Sequence, residues 1–262
     1  GYGTAGRGLY TACANVAWGA TTLVERCTFE GNAYRPADKD GKGGKGGAVV
    51  VSGQMRTQFT DCTFKQNGLV APKDNEPCLS AVMSGAAAYV TGSPAEFVRC
   101  RFVGNCAVSQ CEGGWMYDGA TLALENSQKA VPWNCAVKDC VFEGNRVLAP
   151  GPWNRYSPTV GALFVSDTSG SGAVSVTGCT FAGNRADTVV GSAGISIFGG
   201  NLELRDSKFR NNAVSYDPVF AHYGGIGKGA DLRLTGRFAG VPARPTRVTV
   251  ANCAFASEGD DK

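Results

Sequence analysis

Apolar positions in this chain come in pairs two residues apart, and the pairs are set at an odd distance from one another. One set is Thr22/Val24, Thr57/Phe59, Ala95/Phe97, Cys135/Val137, Val174/Val176, Leu202/Leu204 and Val248/Val250. Residues two apart share one face of a strand. Three residues further on, each pair is followed by a second one, a cysteine or serine and the phenylalanine two places later. An odd spacing would point the two pairs to opposite sides of a straight strand. Both can face one core only if the chain turns a corner between them. The residue at that corner is Arg26, Asp61, Arg99, Asp139, Gly178, Asp206 or Asn252, polar or glycine in every copy, which is turn chemistry. The pattern predicts two short strands meeting at a bend, seven times over.

The second pair opens a recurring phrase. Cys27-Thr-Phe29-Glu-Gly-Asn32 returns around Cys62, Phe64 and Asn67, around Cys100, Phe102 and Asn105, around Cys140, Phe142 and Asn145, and around Cys179, Phe181 and Asn184. A sixth copy has Ser207 before Phe209 and Asn212, and a seventh, Cys253-Ala-Phe255-Ala-Ser-Glu258, loses the asparagine. A third strand is predicted upstream of each pair of strands, opened by glycine and a small residue, as in Gly46-Gly47-Ala48 and Gly161-Ala162. Repeated short strands with bends between them predict a solenoid whose units bury their apolar faces on one another. The expected fold class is all-β, a single-stranded right-handed parallel β-helix of about seven coils with three short strands each. The asparagine suits a left-handed bend, and its amide can bond its equivalents on adjacent coils.

The phenylalanines recur at unequal distances, 28 residues from Phe181 to Phe209 and 46 from Phe209 to Phe255. Most of the excess falls after the asparagine, in inserts at 33–45, 68–84, 106–118, 146–160, 185–192 and 213–223. Insertions at one point of a repeat emerge on one face, which is often the binding face. Two more inserts, 125–134 and 235–245, interrupt later points of their coils. The organisation expected is a single β-helix domain over 1–262, with regular coils over about 8–257 and a frayed tail at 258–262.

Composition narrows the options. Charged residues make up only 18% and the net charge is +3, which argues against a nucleic-acid partner, since phosphate recognition needs a clustered basic surface. No run of 18 apolar residues is present, so no membrane span is expected within this chain. The chain opens on Gly1 without a signal-peptide pattern and reads as a segment of something longer. Of 11 cysteines, six hold the repeat position as small apolar filler. Of the remainder, Cys78, Cys106 and Cys111 fall in inserts and are the disulfide candidates, while Cys13 and Cys135 also lie outside the column. The cysteine count leans towards an extracellular compartment.

The Phe-x-x-Asn phrases alternating with glycine-alanine openings such as Gly46-Gly47-Ala48 resemble those of the polymorphic outer membrane proteins of chlamydiae and related β-helix repeats. The resemblance covers about residues 8–257. It implies a cell-surface or extracellular protein, part of a larger secreted or membrane-anchored one, acting in adhesion.

Candidate chemistry is sparse. β-Helices also host polysaccharide lyases and glycoside hydrolases, which need convergent carboxylates or a calcium-assisted base. The outward positions beside the cysteines gather no acids on consecutive coils. His222 is the sole histidine, so it would have to serve any Ser-His-Asp triad. Asp38-Lys-Asp40-Gly41 echoes a calcium loop, but Val49 stands where the glutamate is needed. No cofactor and no metal site is expected. The inserts do hold bulky aromatics: Trp115, Tyr117, Trp153, Tyr156, Tyr216, Phe220 and Tyr223, with Trp133 in a side insert. Gathered on one face they would form a platform for a glycan or protein partner; packed on themselves they would form satellite clusters. The function expected is a non-enzymatic adhesion or assembly scaffold binding through these loops. A carbohydrate-active enzyme and a purely structural filament part are the alternatives.

Overall fold

In the computed structural model the backbone is left-handed at every predicted corner. Arg26, Asp61, Arg99, Asp139, Asp206 and Asn252 have φ between 51° and 54°, and Gly178 has φ of 67°. The structure describes residues 9–12, 21–34, 45–53, 55–70, 81–82, 84–108, 116–117, 120–126, 133–148, 159–170, 172–187, 191–215, 230–235 and 246–256. Among these there are strands and no helices, and all named pairings are parallel.

Four large sheets run along the stack. The first contains Leu9–Ala12, Val49–Ser52, Ala88–Thr91, Leu122–Asn126, Leu163–Asp167, Ile195–Phe198 and Leu232–Thr235. The second contains Thr21–Glu25, Arg56–Thr60, Ala95–Val98, Asn134–Lys138, Ala173–Thr177, Gly200–Arg205 and Thr246–Ala251. The third holds the Cys-x-Phe phrase, from Thr28–Glu30 through Val141–Glu143 to Ala254–Ala256. Each strand pairs with its equivalents in the repeats before and after it, which is the arrangement of a β-helix or solenoid. Corner residues keep the register: Asp61 N–H donates to Val98 O and Arg99 N–H to Lys138 O.

The fourth sheet corrects the expectation of three strands per coil. Ala33–Tyr34, Gly68–Val70, Cys106–Val108, Arg146–Leu148, Arg185–Asp187 and Ala213–Ser215 pair in order where the inserts were expected to begin. Each middle coil commits one small or branched residue there to burial: Leu69, Ala107, Val147 and Ala186. Two short pairs, Ala81–Val82 with Met116–Tyr117 and Thr159–Val160 with Gly191–Ser192, precede the first sheet. Some openings allow no side chain. A Cβ on Gly47 would run into the carbonyl oxygen of Ala86 on the next rung.

Three ladders hold the interior. Phe29, Phe64, Phe102, Phe142, Phe181, Phe209 and Phe255 stack in one column, with neighbouring ring centroids 4.6–4.9 Å apart and planes within 11°. A stacked aromatic pair adds about 0.5–1.5 kcal/mol beyond its buried area. Phe59 and Phe97 form a second, shorter column set edge-on to the first. Cys62, Cys100, Cys140 and Cys179 fill the corner beside them, each thiol donating to a carbonyl of the preceding rung. Cys27 is exposed and Cys253 half-buried because they sit in the end rungs.

The asparagines form the third ladder. Nδ2 of Asn32, Asn67, Asn105, Asn145 and Asn184 donates to Oδ1 of the next asparagine, ending at Asn212, over 2.9–3.0 Å. From Asn67 onward each Nδ2 also reaches back to the phenylalanine carbonyl one rung earlier. The left-handed residue of this bend is not the asparagine, as expected, but the one before it: Gly31, Gln66, Gly104, Gly144, Gly183 and Asn211. The asparagine keeps ordinary backbone geometry and spends its amide on the ladder.

Candidate functional site

The outer face of the second sheet carries a groove of about 450 Å³. It crosses four rungs where the outward positions are Glu96, Ala136, Ser175 and Glu203, aligned by the strand register. Ala136 and Ser175 are small and make the floor, with Glu96 and Glu203 towards the two ends and Met55 and Arg56 on the rung before Glu96. Glu96 is held in place by charge. Arg56 Nη2 lies 2.7 Å from its Oε2, and Lys138 Nζ lies 3.7 Å from its Oε1. Glu203 pairs with Arg205 at 2.5 Å along its own strand. The carboxylates are thus neutralised by partners that are themselves half exposed, worth about 0–1 kcal/mol each.

Three rung steps of about 4.8 Å separate Glu96 from Glu203, so their backbones are roughly 14 Å apart. Glycoside hydrolysis needs its two carboxyl groups about 5–9.5 Å apart. This pair therefore fits a binding trough better than a two-carboxylate reaction centre.

A second polar cluster lies on the outside of the first sheet. Tyr89 hydroxyl donates to Glu125 Oε2 at 2.7 Å, Ser84 Oγ donates to Oε1 at 2.9 Å, and Lys45 Nζ sits 2.5 Å from the Tyr89 oxygen and 4.3 Å from its ring centroid. Tyr89 belongs to an outward column that is nearly as buried as the core. Val50, Tyr89, Ala123, Phe164 and Ser196 follow one another in register and all are buried. The first sheet is therefore covered on both faces, unlike the second. Nothing in the spacing of Lys45, Ser84, Tyr89 and Glu125 signals this cluster, because irregular inserts separate them along the chain.

On the fourth sheet Arg146 forks onto Asp187 Oδ2 at 2.6 and 2.8 Å, and Ser215 donates to the same carboxylate. Burial alone would raise the Asp187 carboxyl, but the Ser215 and Arg146 hydrogen bonds outweigh it and hold the group below the usual range. A bent loop at Asp167 is likewise internally satisfied. Its carboxylate accepts from Asn126 Nδ2, Ser169 N–H and Oγ, Gly170 N–H and Gly172 N–H.

Of the aromatics expected to form a platform, only Tyr117 and Trp133 fall among the described residues. Trp133 is removed from it: the side chain is 1% exposed and packs in the main core beside the second sheet. It precedes Asn134–Lys138 directly, and the rung above leaves it room, since a Cβ on Gly172 would meet its backbone. Tyr117 stands in the short strand Met116–Tyr117. Trp115, Trp153, Tyr156, Tyr216, Phe220 and Tyr223 lie outside the described residues, as do His222 and the Asp38–Gly41 stretch.

Cys106 also changes role. It is a free thiol in a strand of the fourth sheet, paired in register with Gly68 and Arg146, and not a disulfide partner in an insert. Burial pushes its thiol above the ordinary value. The described cysteines are all free, and Cys13, Cys78 and Cys111 lie outside the described residues. Among the described residues no group of three or more His, Cys, Asp or Glu is placed to hold a metal ion. No described helix is long and apolar enough to cross a membrane.

No family model matches the chain, and no match is found among curated proteins or solved structures. The class defined by the described residues is therefore architectural, an all-strand stack of parallel sheets.

Proposed function

We propose that the chain forms a right-handed parallel β-helix of about seven coils, akin in its repeats to polymorphic outer membrane proteins. In this reading it works at a cell surface or in an extracellular assembly as a non-enzymatic adhesion or assembly scaffold, binding a protein or glycan partner through its insert loops. The observation that carries the reading is the buried outer column Val50, Tyr89, Ala123, Phe164 and Ser196. A strand with one solvated face alternates apolar and polar residues along its length, whereas the outward positions Val50, Tyr89, Ala123 and Phe164 are apolar and buried on four successive rungs, on the strands that follow the inserts in sequence. The first sheet is thus covered on its outer face, whereas the second sheet leaves outward side chains such as Leu23 and Glu203 exposed.

The test is binding of the purified chain to cells, glycan arrays and surface proteins, repeated with Trp115→Ala and Trp153→Ala together. Loss of binding with unchanged thermal unfolding supports the loops as the contact. Binding that ignores both substitutions removes them from the role. The second reading is a carbohydrate-active enzyme, for which the trough between Glu96 and Glu203 offers a place to lay a glycan chain. Incubation with a panel of acidic and neutral polysaccharides decides it: unsaturated or new reducing ends would replace the scaffold reading.

A further inference from the structure

The outward column of the second sheet changes character in the middle of the stack. By register it runs Gln58, Glu96, Ala136, Ser175 and Glu203, so two small residues stand between two long acidic ones. The trough they leave, about 450 Å³, falls within the roughly 300–1,000 Å³ of ligand sites. Its polar groups keep capacity for a ligand. Each Glu96 oxygen faces one cation, Arg56 at 2.7 Å and Lys138 at 3.7 Å, and a carboxylate oxygen has room for a second donor. Asn134 Oδ1 accepts the N–H of Ala173 at 3.2 Å, which leaves its amide hydrogens to donate elsewhere. Ser175, half-buried on the floor, adds a hydroxyl that both donates and accepts. Met55, 58% exposed, and Pro94 add apolar surface beside Glu96.

We propose that this trough binds an uncharged glycan chain, laid along the stack axis with its rings over Ala136 and Ser175. The proposal rests on the trough being a seat for glycan but requires no turnover there. Charge decides the class of ligand. Glu96 and Glu203 stand against Arg56, Lys138 and Arg205, and each carboxylate already has a cation beside it. A polyanion would meet the two carboxylates, a polycation the three cations, and an apolar ligand would strip the ion pairs of water. A vicinal diol suits such pairs. One hydroxyl donates to a carboxylate oxygen while its neighbour accepts from the adjoining cation, and both bonds are charge-assisted. A peptide is less well matched. The sheet's backbone groups are spent on pairing between rungs, so this face gives a peptide's N–H and C=O groups no ladder to join. Length agrees too. Three rung steps span roughly 14 Å, so an oligosaccharide can reach the ion pairs at Glu96 and Glu203 together while its C–H faces rest on Ala136, Pro94 and Met55.

Titration of the chain with neutral cello-, manno- and N-acetylchito-oligosaccharides, followed by amide NMR and calorimetry, tests it, with oligogalacturonate as the acidic comparison. A neutral member is expected to bind and to shift the amides of Ala136 and Ser175, and oligogalacturonate is not. Ala136→Arg fills the floor from a half-buried position and should weaken binding by about tenfold or more. Should that variant lose its cooperative unfolding, Ser175→Arg fills the same floor one rung on. Glu96→Gln keeps the shape, removes the charge and should weaken binding several-fold, whereas Trp115→Ala with Trp153→Ala should leave it unchanged. Binding without new reducing ends supports the proposal and removes the enzyme reading. A panel in which no neutral glycan binds overturns the proposal and leaves adhesion through the loops standing. Preference for oligogalacturonate, or undiminished binding by the floor-filling variants, overturns it as well.

Discussion

The side-chain amide of Asn105 donates to Oδ1 of Asn145 at 2.9 Å, and both residues are fully buried. Asn105 uses its whole hydrogen-bonding capacity. Its other amide hydrogen goes to the Phe64 carbonyl at 2.9 Å, and its Oδ1 accepts both the backbone N–H and the Nδ2 of Asn67 at 3.0 Å. An amide is the side chain that offers two donors and two lone pairs from one planar group. A column of them can therefore satisfy itself on both sides while filling a tight bend.

Asn105→Leu should consequently cost about 3 kcal/mol or more, because it orphans several buried groups at about 1–3 kcal/mol each. Asn32→Leu, at the half-exposed end of the ladder, should cost about 1 kcal/mol. Urea unfolding of the two variants measures the contrast. Equal losses would mean that the ladder is not cooperative.

The serine in the sixth copy supports a different kind of forecast. Ser207 Oγ accepts the N–H of Cys179 at 3.1 Å and donates to the Arg205 carbonyl at 2.8 Å. These are the contacts the cysteines make elsewhere: Cys140 sulfur takes the N–H of Cys100 and its thiol donates to Lys138 O. Ser207→Cys should change stability by less than about 1.5 kcal/mol, the range of a volume-conserving swap. A larger loss would show that the column requires oxygen at that rung.

Much of this architecture was legible because it is periodic. The three-residue step from Val24 to Cys27 demanded a corner, and Arg26 stands there in the left-handed region. The fourth sheet escaped because its strands are three residues or fewer with one inward side chain, as in Arg146–Leu148, too little alternation to separate from a loop. Trp133 was misplaced for a related reason. A bulky residue flanked by proline and asparagine reads as surface, yet it lies one step before a strand, where the chain has already turned inward. The trough and the Lys45–Tyr89–Glu125 cluster depend on register across inserts of unequal length, and no spacing rule bridges those.

Gly178 is the one glycine among seven corners, and its place is tied to Asp139 below it. A Cβ there would meet Asp139 Oδ1, and φ is already +67°. Gly178→Val should destabilise by about 2 kcal/mol or more, since a β-branched residue is poorly tolerated in the left-handed region. Gly178→Asn should cost about 1 kcal/mol, and less in an Asp139→Gly background where the carboxylate is gone. A double-mutant cycle by thermal unfolding reads the coupling; additive losses would mean that Asp139 swings aside freely.

Cys135 should make the protein weaken in alkali. It is buried in the core between Ala95 and Val174, and burial pushes its thiol up to about 12. An unfolded cysteine ionises near 8.5, so between these two values the folded chain holds a proton that the unfolded chain has released. Stability from this group is fully present below about pH 8.5 and is lost at up to about 1.4 kcal/mol per pH unit as pH rises towards 12. By pH 10 the loss should reach about 2 kcal/mol for this thiol alone. Cys135→Val, which repeats the residue at Val174, removes the ionisable group and should remove that share of the decline. The substitution leaves every other thiol in place, so the difference between wild type and variant in urea unfolding at pH 7 and pH 10 isolates Cys135. Parallel declines would mean that the thiol is hydrated in the folded chain, which its place in the core does not permit.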